Sequence, residues 1–414
     1  MPGSSSSSRP PAWQIVVAGG GIPGLLFALA TVRALGEAVA VAVLDPGFAA
    51  VRADPRAYAL APGVVGMLEA LGLWGELRDR AQPIGAMTIT DSRLADAVRP
   101  AYLRLGGTGE PLAHMVEADR LVSTLRSACV GSGVALLAEA VTGFAAGPSV
   151  VEVAASGGLR RAALLVAADG SRSRLRDLAG IAWFGRRYRQ SGIVATVRHG
   201  EPHGGTAIQH FLPAGPFAIL PLVSGRGGGG RSSVVWTEDE ARVPALLRLR
   251  RDEAAREIAA RFGPELGPVE LETDLLAFPL SVGLARSYVA PRFALLADAA
   301  HEVHPLAGQG LNLGLADAAS LADQVSEAVR LGLDPGGEAV LDAYQRERRI
   351  EGVALAAITD GLNRLFSNDR LDRRVLRDLG LGLVDASPGA KRVFERWASL
   401  RSRRAPRLMQ AGRR

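Results

Sequence analysis

The chain has one cysteine, Cys129, among its 414 residues. A single thiol excludes an internal disulfide and a dithiol redox centre and fits a reducing compartment, so we expect a cytoplasmic protein with Cys129 inside a helix. Long hydrophobic runs are absent too, since stretches such as LLFALATV end at glycine or charge within about a dozen residues, too few to span a bilayer. Residues 1–11 lack a basic start and an apolar segment, which predicts a disordered leader without a secretory signal.

Lysine is nearly absent, Lys391 being the only one, so the net charge of +6 comes from arginine. Residues 361–414 hold fourteen arginine or lysine residues against five aspartate or glutamate residues. There, KRVFERWASLRSRR puts Val393, Trp397 and Leu400 on one helical face among arginines. The pattern is typical either of a helix on an anionic membrane surface or of a helix that packs its apolar face on its own core. No aromatic residues alternate with the arginines as nucleic-acid binding would favour, so we expect no nucleic-acid partner.

A glycine-rich turn near the N-terminus predicts a dinucleotide site. QIVVA is a short apolar strand, GGGIPG follows it, and LLFALATVRALG is a helix. Gly19 then allows the tight turn, Gly21 lets a pyrophosphate approach the helix N-terminus, and Gly24 lets helix and strand pack closely. Asp45 ends the next strand, VAVAVLD, about twenty residues later, where a carboxylate accepts hydrogen bonds from a ribose. The motif alone does not separate NAD from FAD.

Two further apolar strands end in aspartate. Residues 164–168 precede Asp169 and Gly170, and residues 293–297 precede Asp298, a glycine loop and a helix from about Gly310. The HEVH stretch of this loop is not a zinc-protease motif, because its histidines are three residues apart rather than four and a proline follows, so we expect no metal.

The order GGGIPG, ADGSRSRLR and ADAAHEVHPLAGQGLNLG resembles the single-component aromatic flavin monooxygenases, and specifically the ubiquinone-biosynthesis hydroxylases of the UbiH/UbiF type. RAYALAPGVVGMLEALGLW, QHFLPAGPFAILPL and SSVVWTEDEA follow the same family in the same order. The resemblance implies an α/β fold: a Rossmann-like FAD-binding domain of the para-hydroxybenzoate-hydroxylase type, an inserted antiparallel-sheet substrate domain and C-terminal helices.

The resemblance also implies site residues. Pro305 to Gly310 would offer backbone N–H groups at a helix N-terminus to the flavin, whose reduced form carries negative charge. His304, Pro305 and Gln309 would position the flavin face for catalysis. In the place of a usual glycine, Ala297 keeps a small residue, and we expect little effect. The implied FAD-binding residues are Gly19, Gly21, Gly24, Asp45, Arg56, Asp169, Gly170, Asp298, Pro305, Gly308, Gln309, Gly310 and Asn312.

The domain division expected from this resemblance is discontinuous. The FAD-binding domain takes residues 12–81, 112–181 and 285–350, the substrate domain takes 82–111 and 182–284, and residues 351–414 form a basic helical region. Four strand patterns separated by glycine and proline predict the substrate sheet. Its candidate pocket residues, each with core packing as the alternative, are Phe211, Phe217, Leu220 and Leu222. His210, His301 and His304 are candidate polar participants, for which structural hydrogen bonds are the alternative to catalysis.

The implied reaction uses FAD, NAD(P)H as reductant and O2. Flavin reduced by NAD(P)H would add O2 to give a C4a-hydroperoxide, which transfers oxygen to the ring of a polyprenylated phenol. The hydrophobic quinone precursor is consistent with a ubiquinone-biosynthesis complex and with contact of the basic C-terminus at the inner face of a bacterial cytoplasmic membrane. Two alternatives stay open: a related hydroxylase for a soluble or secondary-metabolite phenol, and a noncatalytic flavoprotein of a biosynthetic complex.

Overall fold

A computed structural model describes residues 13–50, 54–91, 101–107, 109–225, 229–263, 266–304, 308–366, 399–400 and 405–410. The predicted leader, Pro305 and most of the basic C-terminal region, including Val393 and Trp397, lie outside the described residues. Within the described part of the chain, no helix is both long enough and apolar enough to cross a membrane.

The described strands form four sheets. They are β1 Ile15–Ala18, β2 Val41–Leu44, β3 Ala57–Leu60, β4 Gln82–Ile84, β5 Ala86–Asp91, β6 Ala101–Gly106, β7 Ala113–Glu117, β8 Ala135–Leu137, β9 Val141–Ala146, β10 Val151–Ala155, β11 Gly158–Ala162, β12 Leu164–Ala167, β13 Trp183–His199, β14 Thr206–Leu212, β15 Gly215–Leu222, β16 Gly230–Asp239, β17 Val269–Leu271, β18 Leu276–Ala285, β19 Val289–Ala290, β20 Phe293–Leu295 and β21 His301–Glu302.

The described helices pack against these sheets. They are α1 Ile22–Leu35, α2 Pro62–Ala70, α3 Trp74–Leu77, α4 Ala118–Gly131, α5 Arg174–Leu178, α6 Val243–Leu246, α7 Arg251–Phe262, α8 Gln309–Arg330, α9 Glu338–Phe366 and α10 Arg407–Gln410. Cys129 lies buried in α4, where its thiol donates to the carbonyl of Leu25 over 3.4 Å, so the predicted helix position is confirmed.

The first sheet has the order β19-β20-β12-β1-β2-β8 and is parallel except for the edge strand β19. Its central strands read IVVA, VAVL and LLVA and are buried throughout, as strands covered on both faces must be. Helix α1 packs against both α4 and α8. The predicted Rossmann-like α/β domain is confirmed.

The largest sheet has the order β21-β18-β13-β16-β15-β14-β5-β6, with β17 paired to β13. All four strands predicted between Trp183 and Trp236 are present as β13 to β16. These four strands pair antiparallel to one another, so that prediction is confirmed. Strand β5, in contrast, pairs with β14 in parallel from Thr206 and Ala86 onward. Strands β5 and β6 join this sheet from an earlier part of the chain, so the hairpin geometry that favours antiparallel neighbours does not apply between β5 and β14.

Different helices cover the two faces of the largest sheet. Phe217 and Trp236 face α6 and α7 and share a core with Ile258 and Phe262. On the other face, Tyr188 of β13 donates a hydrogen bond to Asp360 of α9 over 2.7 Å. Helix α9 is continuous through residue 350, where a domain boundary was placed, so one helix serves both predicted segments.

Candidate functional site

Four neighbouring strands bring the predicted site residues to one edge. Strands β20, β12, β1 and β2 are adjacent and parallel, and their carboxyl ends lead into Asp298, Asp169, Gly19 and Asp45, respectively. In open α/β sheets this edge is where ligands bind. The topology therefore groups four segments that are up to 279 residues apart in the sequence.

The glycine turn after β1 needs its glycines for different reasons. Gly19 has φ 117°, and a Cβ there would lie 2.2 Å from the carbonyl oxygen of Ala168. A Cβ at Gly24 would lie 2.2 Å from the carbonyl oxygen of Gly19. At the exposed Gly21, a Cβ would meet nothing nearer than Pro23 at 3.9 Å. Protein packing thus explains Gly19 and Gly24, whereas the open space at Gly21 suits a ligand.

Helix α1 begins at this turn without a side-chain cap, so no side chain satisfies its first backbone N–H groups. Helix α8 begins in the same way after Gly308, which has φ 64°. Uncapped N-termini with positive dipole ends are favourable places for phosphate groups or a negatively charged ring. Both helices meet the carboxyl edge of the parallel sheet.

Asp45 organises the loop that it follows. One carboxylate oxygen accepts from the Gly20 amide and the other from the Gly47 amide, each over 2.6 Å. A carboxylate oxygen accepts up to two hydrogen bonds, so both oxygens keep acceptor capacity for ribose hydroxyls.

Asp169 and Gly170 lie at the end of β12. Asp169 is exposed and accepts a 3.3 Å hydrogen bond from the Leu175 amide, near the start of α5. Gly170 has φ 87°, with no atom within 4 Å of an added Cβ. Nearby, the buried Arg176 donates to the carbonyls of Ser171 and Ala299, which ties the β12 loop to the β20 loop.

The charges of the Asp298 carboxylate and the Arg56 guanidinium interact. The Asp298 side chain is exposed on one side, while the protein packed around it raises the pKa of its carboxyl by desolvation, against the charges of His301 and Arg56. The hydrogen bonds that the Arg56 guanidinium donates to the Asp54 carboxylate chiefly raise the pKa of Arg56. The guanidinium also lies 5.2 Å from the ring centre of Phe278. Arg56 precedes β3, and its side chain places its positive charge beside Phe278 of β18 in the largest sheet.

Ala297 departs from the expectation of little effect. Its φ is 54°, the left-handed region in which alanine is strained and glycine is not. Its Cβ would lie 2.5 Å from a Cβ at Gly314 of α8. Because the two Cβ atoms would clash, an alanine at position 297 requires a glycine at position 314 of α8.

The residues predicted at the flavin face have distinct positions. Gly308, Gln309 and Gly310 are partly exposed around the start of α8. Asn312 is 1 % exposed, and its side-chain amide donates to the carbonyls of Ala59 and Gly308 and accepts from Ala61. It thus fastens the α8 N-terminus to β3 and α2.

His304 is fully buried, and neither ring nitrogen has a hydrogen-bond partner among the described residues. Its ring packs edge-to-face on Tyr188 at 5.2 Å. Burial lowers the pKa of His304 to about 4, so the imidazole is neutral at physiological pH. No residue in the described part of the chain makes the structural hydrogen bond expected for this histidine. His210, in contrast, bonds Thr90 at 2.7 Å, as the structural alternative predicted.

A buried ion network next to the site was missed from the sequence. The ring of His301 bonds the Asp317 carboxylate, whose other oxygen accepts from Arg348 over 2.7 Å. Burial alone raises the pKa of Asp317, but the charges and hydrogen bonds of His301 and Arg348 outweigh burial and lower it. A lone aspartate on the apolar face of α8 was the available signal, since a buried charge needs a partner.

The candidate pocket residues divide between the two faces of the largest sheet. Phe217 lies in the core under α6 and α7, so it faces away from α9. Phe211 packs with Ile89, Leu103 and Leu362 of α9. Leu220 and Leu222 pack with Ala57 and Ala59 of β3, the strand that Asn312 joins to α8. An apolar wall therefore adjoins the α8 N-terminus.

The comparisons with known proteins agree with this geometry. The family model described as an FAD binding domain matches residues 12–358. The ubiquinone hydroxylase UbiL of Rhodospirillum rubrum is 40% identical over 394 residues, which cover 93% of this chain and 89% of that protein. The 3-demethoxyubiquinol 3-hydroxylase of Escherichia coli is 31% identical over 401 residues, which cover 93% and 98%.

Solved structures show the same fold at lower identity. The p-nitrophenol 4-monooxygenase PnpA of Pseudomonas putida superposes with a TM-score of 0.77 at 21% identity, over 95% of this chain and 100% of that one. PieE, a flavin-dependent monooxygenase solved with FAD and substrate, gives 0.69 at 18% identity, over 96% and 73%. The family model and the relatives thus show an FAD-dependent monooxygenase. Within that class, the chain belongs to the ubiquinone-biosynthesis hydroxylase family.

Proposed function

We propose that the chain hydroxylates the aromatic ring of a polyprenylated phenol in ubiquinone biosynthesis. The observation that carries the proposal is the apolar wall of the half-buried Leu220, Ala57 and Ala59, which adjoins the uncapped N-terminus of α8. A phenol with a long hydrocarbon tail matches that wall, and the relatives' names point to the same substrate class.

The residues proposed to hold FAD fit it by their open space and free donors. Gly21 and Gly170 leave room at the carboxyl edge, and the exposed Asp298 offers its carboxylate. We assign the adenosine half to the β1 turn and Asp45, and the flavin to the α8 N-terminus, with His304, Pro305 and Gln309 beside its face. The proposed FAD-binding set is Gly19, Gly21, Gly24, Asp45, Arg56, Asp169, Gly170, Asp298, Pro305, Gly308, Gln309, Gly310 and Asn312.

Bound FAD, once reduced by NAD(P)H, would supply the chemistry that inserts one oxygen atom of O2 into the ring and releases the other as water. The chain's residues bind and orient. Backbone N–H groups of Gln309 and Gly310 and the dipole of α8 stabilise negative charge at the flavin. The apolar wall excludes water and holds the ring in register, which suits oxygen transfer because a wetted site loses the oxidant to solvent.

The test is complementation. Bacterial strains that lack each ubiquinone ring hydroxylase in turn would express the chain, with quinones identified by mass spectrometry. Restored ubiquinone in one strain gives pathway and ring position together. Asp298→Ala should fail to complement, whereas Asp177→Ala, at an aspartate 71% exposed on α5, should complement as the parent does.

Other outcomes select the alternatives. A purified yellow protein that fails in every strain but oxidises NAD(P)H faster with a soluble phenol would be a hydroxylase of that phenol. FAD binding without any phenol-stimulated NAD(P)H oxidation would identify a noncatalytic flavoprotein. For the C-terminal region, whose excess of arginine supports binding to an acidic surface, we propose contact with a biosynthetic complex or the inner face of the cytoplasmic membrane.

A further inference from the structure

A buried chain of ion pairs joins helices α9 and α8 and ends beside the candidate FAD site. Glu351 of α9 pairs with Arg348 over 2.6 Å, and Arg348 donates from Nε to the Asp317 carboxylate of α8 over 2.7 Å. The other oxygen of Asp317 bonds Nε2 of His301 in β21. Asp317 and Arg348 are fully buried and His301 is 1% exposed, whereas Glu351 is partly exposed to water. We call these four residues the buried ion chain.

The charges of the buried ion chain alternate in sign. Two carboxylates, Glu351 and Asp317, share one permanent cation, Arg348, so these three groups together leave one negative charge uncompensated. The chain is electrically balanced only when the imidazole of His301 carries a proton on both nitrogens. A buried charge without a partner is costly, so burial favours the balanced form. The chain therefore ends in a positive charge at His301.

Asp298 of the candidate FAD site lies next to this positive end. It stands three residues before His301, and Ala297–Ala299 form a 3-10 turn between the strand β20 and β21. Side chains three residues apart on such a turn lie on the same side. Burial raises the pKa of the Asp298 carboxyl most, and the charge of His301 is the largest influence that opposes burial, ahead of Arg56. The buried ion chain thus acts on a carboxyl group that faces the cofactor edge.

Other titratable groups surround this pair. Asp317 acts on both members, and Arg56 stays charged throughout the pH range in which carboxyl groups titrate. Burial raises the pKa of Tyr58 to about 12, and it also raises the pKa of Tyr288, whose ring centre lies 5.8 Å from the imidazole, so both phenols are neutral. Glu302 is a further carboxyl whose charge interacts with that of the aspartate, and burial raises its pKa too. Glu302 is therefore the neighbour that needs a control.

We propose that His301 is a positioning residue of the FAD site, which holds Asp298 in its carboxylate form through the charge that the buried ion chain fixes. A carboxylate accepts hydrogen bonds at both oxygens, whereas a carboxylic acid uses one oxygen as a donor. Ionised Asp298 therefore accepts from two hydroxyl groups of FAD at once. The inference rests on the proposed assignment of Asp298 to FAD, and it is independent of the aromatic substrate.

A purely structural role of His301 predicts a different behaviour. The hydrogen bond to Asp317 would then only fasten β21 to α8, and its loss would weaken FAD binding by the same factor at every pH. A charge that acts on Asp298 matters only at pH values where Asp298 would otherwise take up a proton. The pH dependence of FAD binding therefore separates the two roles.

The experiment is flavin-fluorescence titration of the FAD-free full chain with FAD, from about pH 8 to about pH 4.5. FAD should bind more weakly as the pH falls through the pKa of Asp298, and the midpoint of this loss is the measured quantity. His301→Gln keeps an N–H donor for Asp317 and removes the charge, so the midpoint should rise by about one pH unit. Below both midpoints, the Kd of the variant should be about tenfold that of the parent; at about pH 8 the two should agree within about threefold.

Two further variants test the same charge without depending on that substitution. Asp317→Asn with Arg348→Gln removes one charge of each sign and leaves the imidazole without a carboxylate partner, so the midpoint should again rise. This double variant also decides the question if His301→Gln does not fold. In an Asp298→Asn background, His301→Gln should change the Kd by less than about twofold at every pH, because the group through which His301 acts is gone.

Matched controls separate this effect from the loss of any buried titratable group. His199→Gln changes a histidine that is 4% exposed and packs on Phe262, on the far face of the largest sheet, and should leave the midpoint unchanged. Glu302→Gln removes a like charge and should leave the midpoint unchanged or lower it. The proposal is overturned if His301→Gln and the charge-matched double variant weaken FAD binding equally at every pH. It is overturned equally if Asp298→Asn keeps the parent's pH dependence or if Glu302→Gln abolishes it. The titrations contain neither phenol nor NAD(P)H, so a failure of hydroxylation leaves these outcomes unaffected.

Discussion

At the residue scale, Gly21 and Gly24 belong to the same turn but are required for different reasons. An added Cβ at Gly24 would lie 2.2 Å from the carbonyl oxygen of Gly19, whereas at Gly21 the nearest atom would be 3.9 Å away. Gly24→Ala should therefore destabilise the FAD-free fold by about 1–3 kcal/mol through overpacking. Gly21→Ala should leave that stability within about 0.5 kcal/mol and weaken FAD binding at least about tenfold, because its methyl group takes ligand space.

Urea unfolding of the FAD-free proteins and flavin-fluorescence titration would measure the two effects. Equal loss of stability in both variants, or unchanged FAD affinity in Gly21→Ala, would contradict the assignment of the open space to the pyrophosphate.

His304 gives a pH dependence of stability. Burial lowers its pKa to about 4, below the ordinary value near 6.5, so between these pH values the unfolded chain binds a proton that the folded chain does not. Stability should thus fall as the pH drops from about 6.5 to about 4, by up to about 3 kcal/mol from this residue. His304→Leu should remove that part.

Urea unfolding of the FAD-free parent and variant at pH 7.5 and pH 5 is the measurement. At pH 7.5, His304→Leu should be at most about 1 kcal/mol less stable than the parent, because no hydrogen bond to a described residue is lost. His114 and His199, whose pKa values burial also lowers, keep a smaller acid dependence in the variant. An unchanged difference between the two pH values would show that His304 is protonated in the folded chain.

At the scale of elements, Ala297 and Gly314 couple the β20 loop to α8. Gly314→Ala would place two Cβ atoms 2.5 Å apart and should cost more than about 2 kcal/mol. Ala297→Gly relieves the strained φ of 54° and should stay within about 1 kcal/mol of the parent. In the double variant, Ala297→Gly should recover at least about 1 kcal/mol of the stability that Gly314→Ala loses, because the effects of substitutions at contacting residues are not additive.

Urea unfolding of the four proteins completes this double-mutant cycle. Gly361→Ala inside α9, where no atom lies within 4 Å of an added Cβ, tests for a general effect of removing a helical glycine. Additive free energies for Ala297→Gly and Gly314→Ala would mean that helix α8 shifts to relieve the contact.

Elements with a regular local pattern were predictable from the sequence. The glycine spacing and the runs IVVA, VAVL and LLVA predicted the start of the parallel sheet, because turn geometry and burial act over a few residues. The parallel pairing of β5 with β14 was not predictable, because its partners lie 120 residues apart and no turn joins them. The bonds of Asp317 to His301 and Arg348 likewise span 16 and 31 residues without any periodic signal.

For the candidate site, the grouping of its residues was predictable from the sequence. Its glycines and aspartates follow strands, so the order of strands in a parallel sheet is enough to group them. The orientation of side chains could not be predicted. Nothing in the sequence shows that the Asn312 side-chain amide forms hydrogen bonds with β3 and the start of α2, or that Phe217 faces away from α9. Those facts depend on the side of an element that meets the core.

At the scale of the whole molecule, the two large sheets should respond differently to FAD. The proposed contacts lie in the loops at residues 18–24, 168–172, 296–300 and 308–312, whereas α7 packs on the far face of the largest sheet. FAD at about a hundred times its Kd stabilises the folded chain by about 2.7 kcal/mol through mass action. Local openings that break the site should become rarer, while those confined to α7 should not change.

Hydrogen exchange followed by mass spectrometry, with and without FAD, would resolve these segments. Peptides over the four loops should exchange about a hundredfold more slowly with FAD, and the peptide over residues 251–262 should keep its rate. Gly21→Ala, at the same FAD concentration, should lose most of the protection in all four loops, because they form one ligand site rather than four independent ones. Protection limited to the β1 turn would mean that the α8 N-terminus does not contact the cofactor, and the flavin would then have to be placed elsewhere on the carboxyl edge.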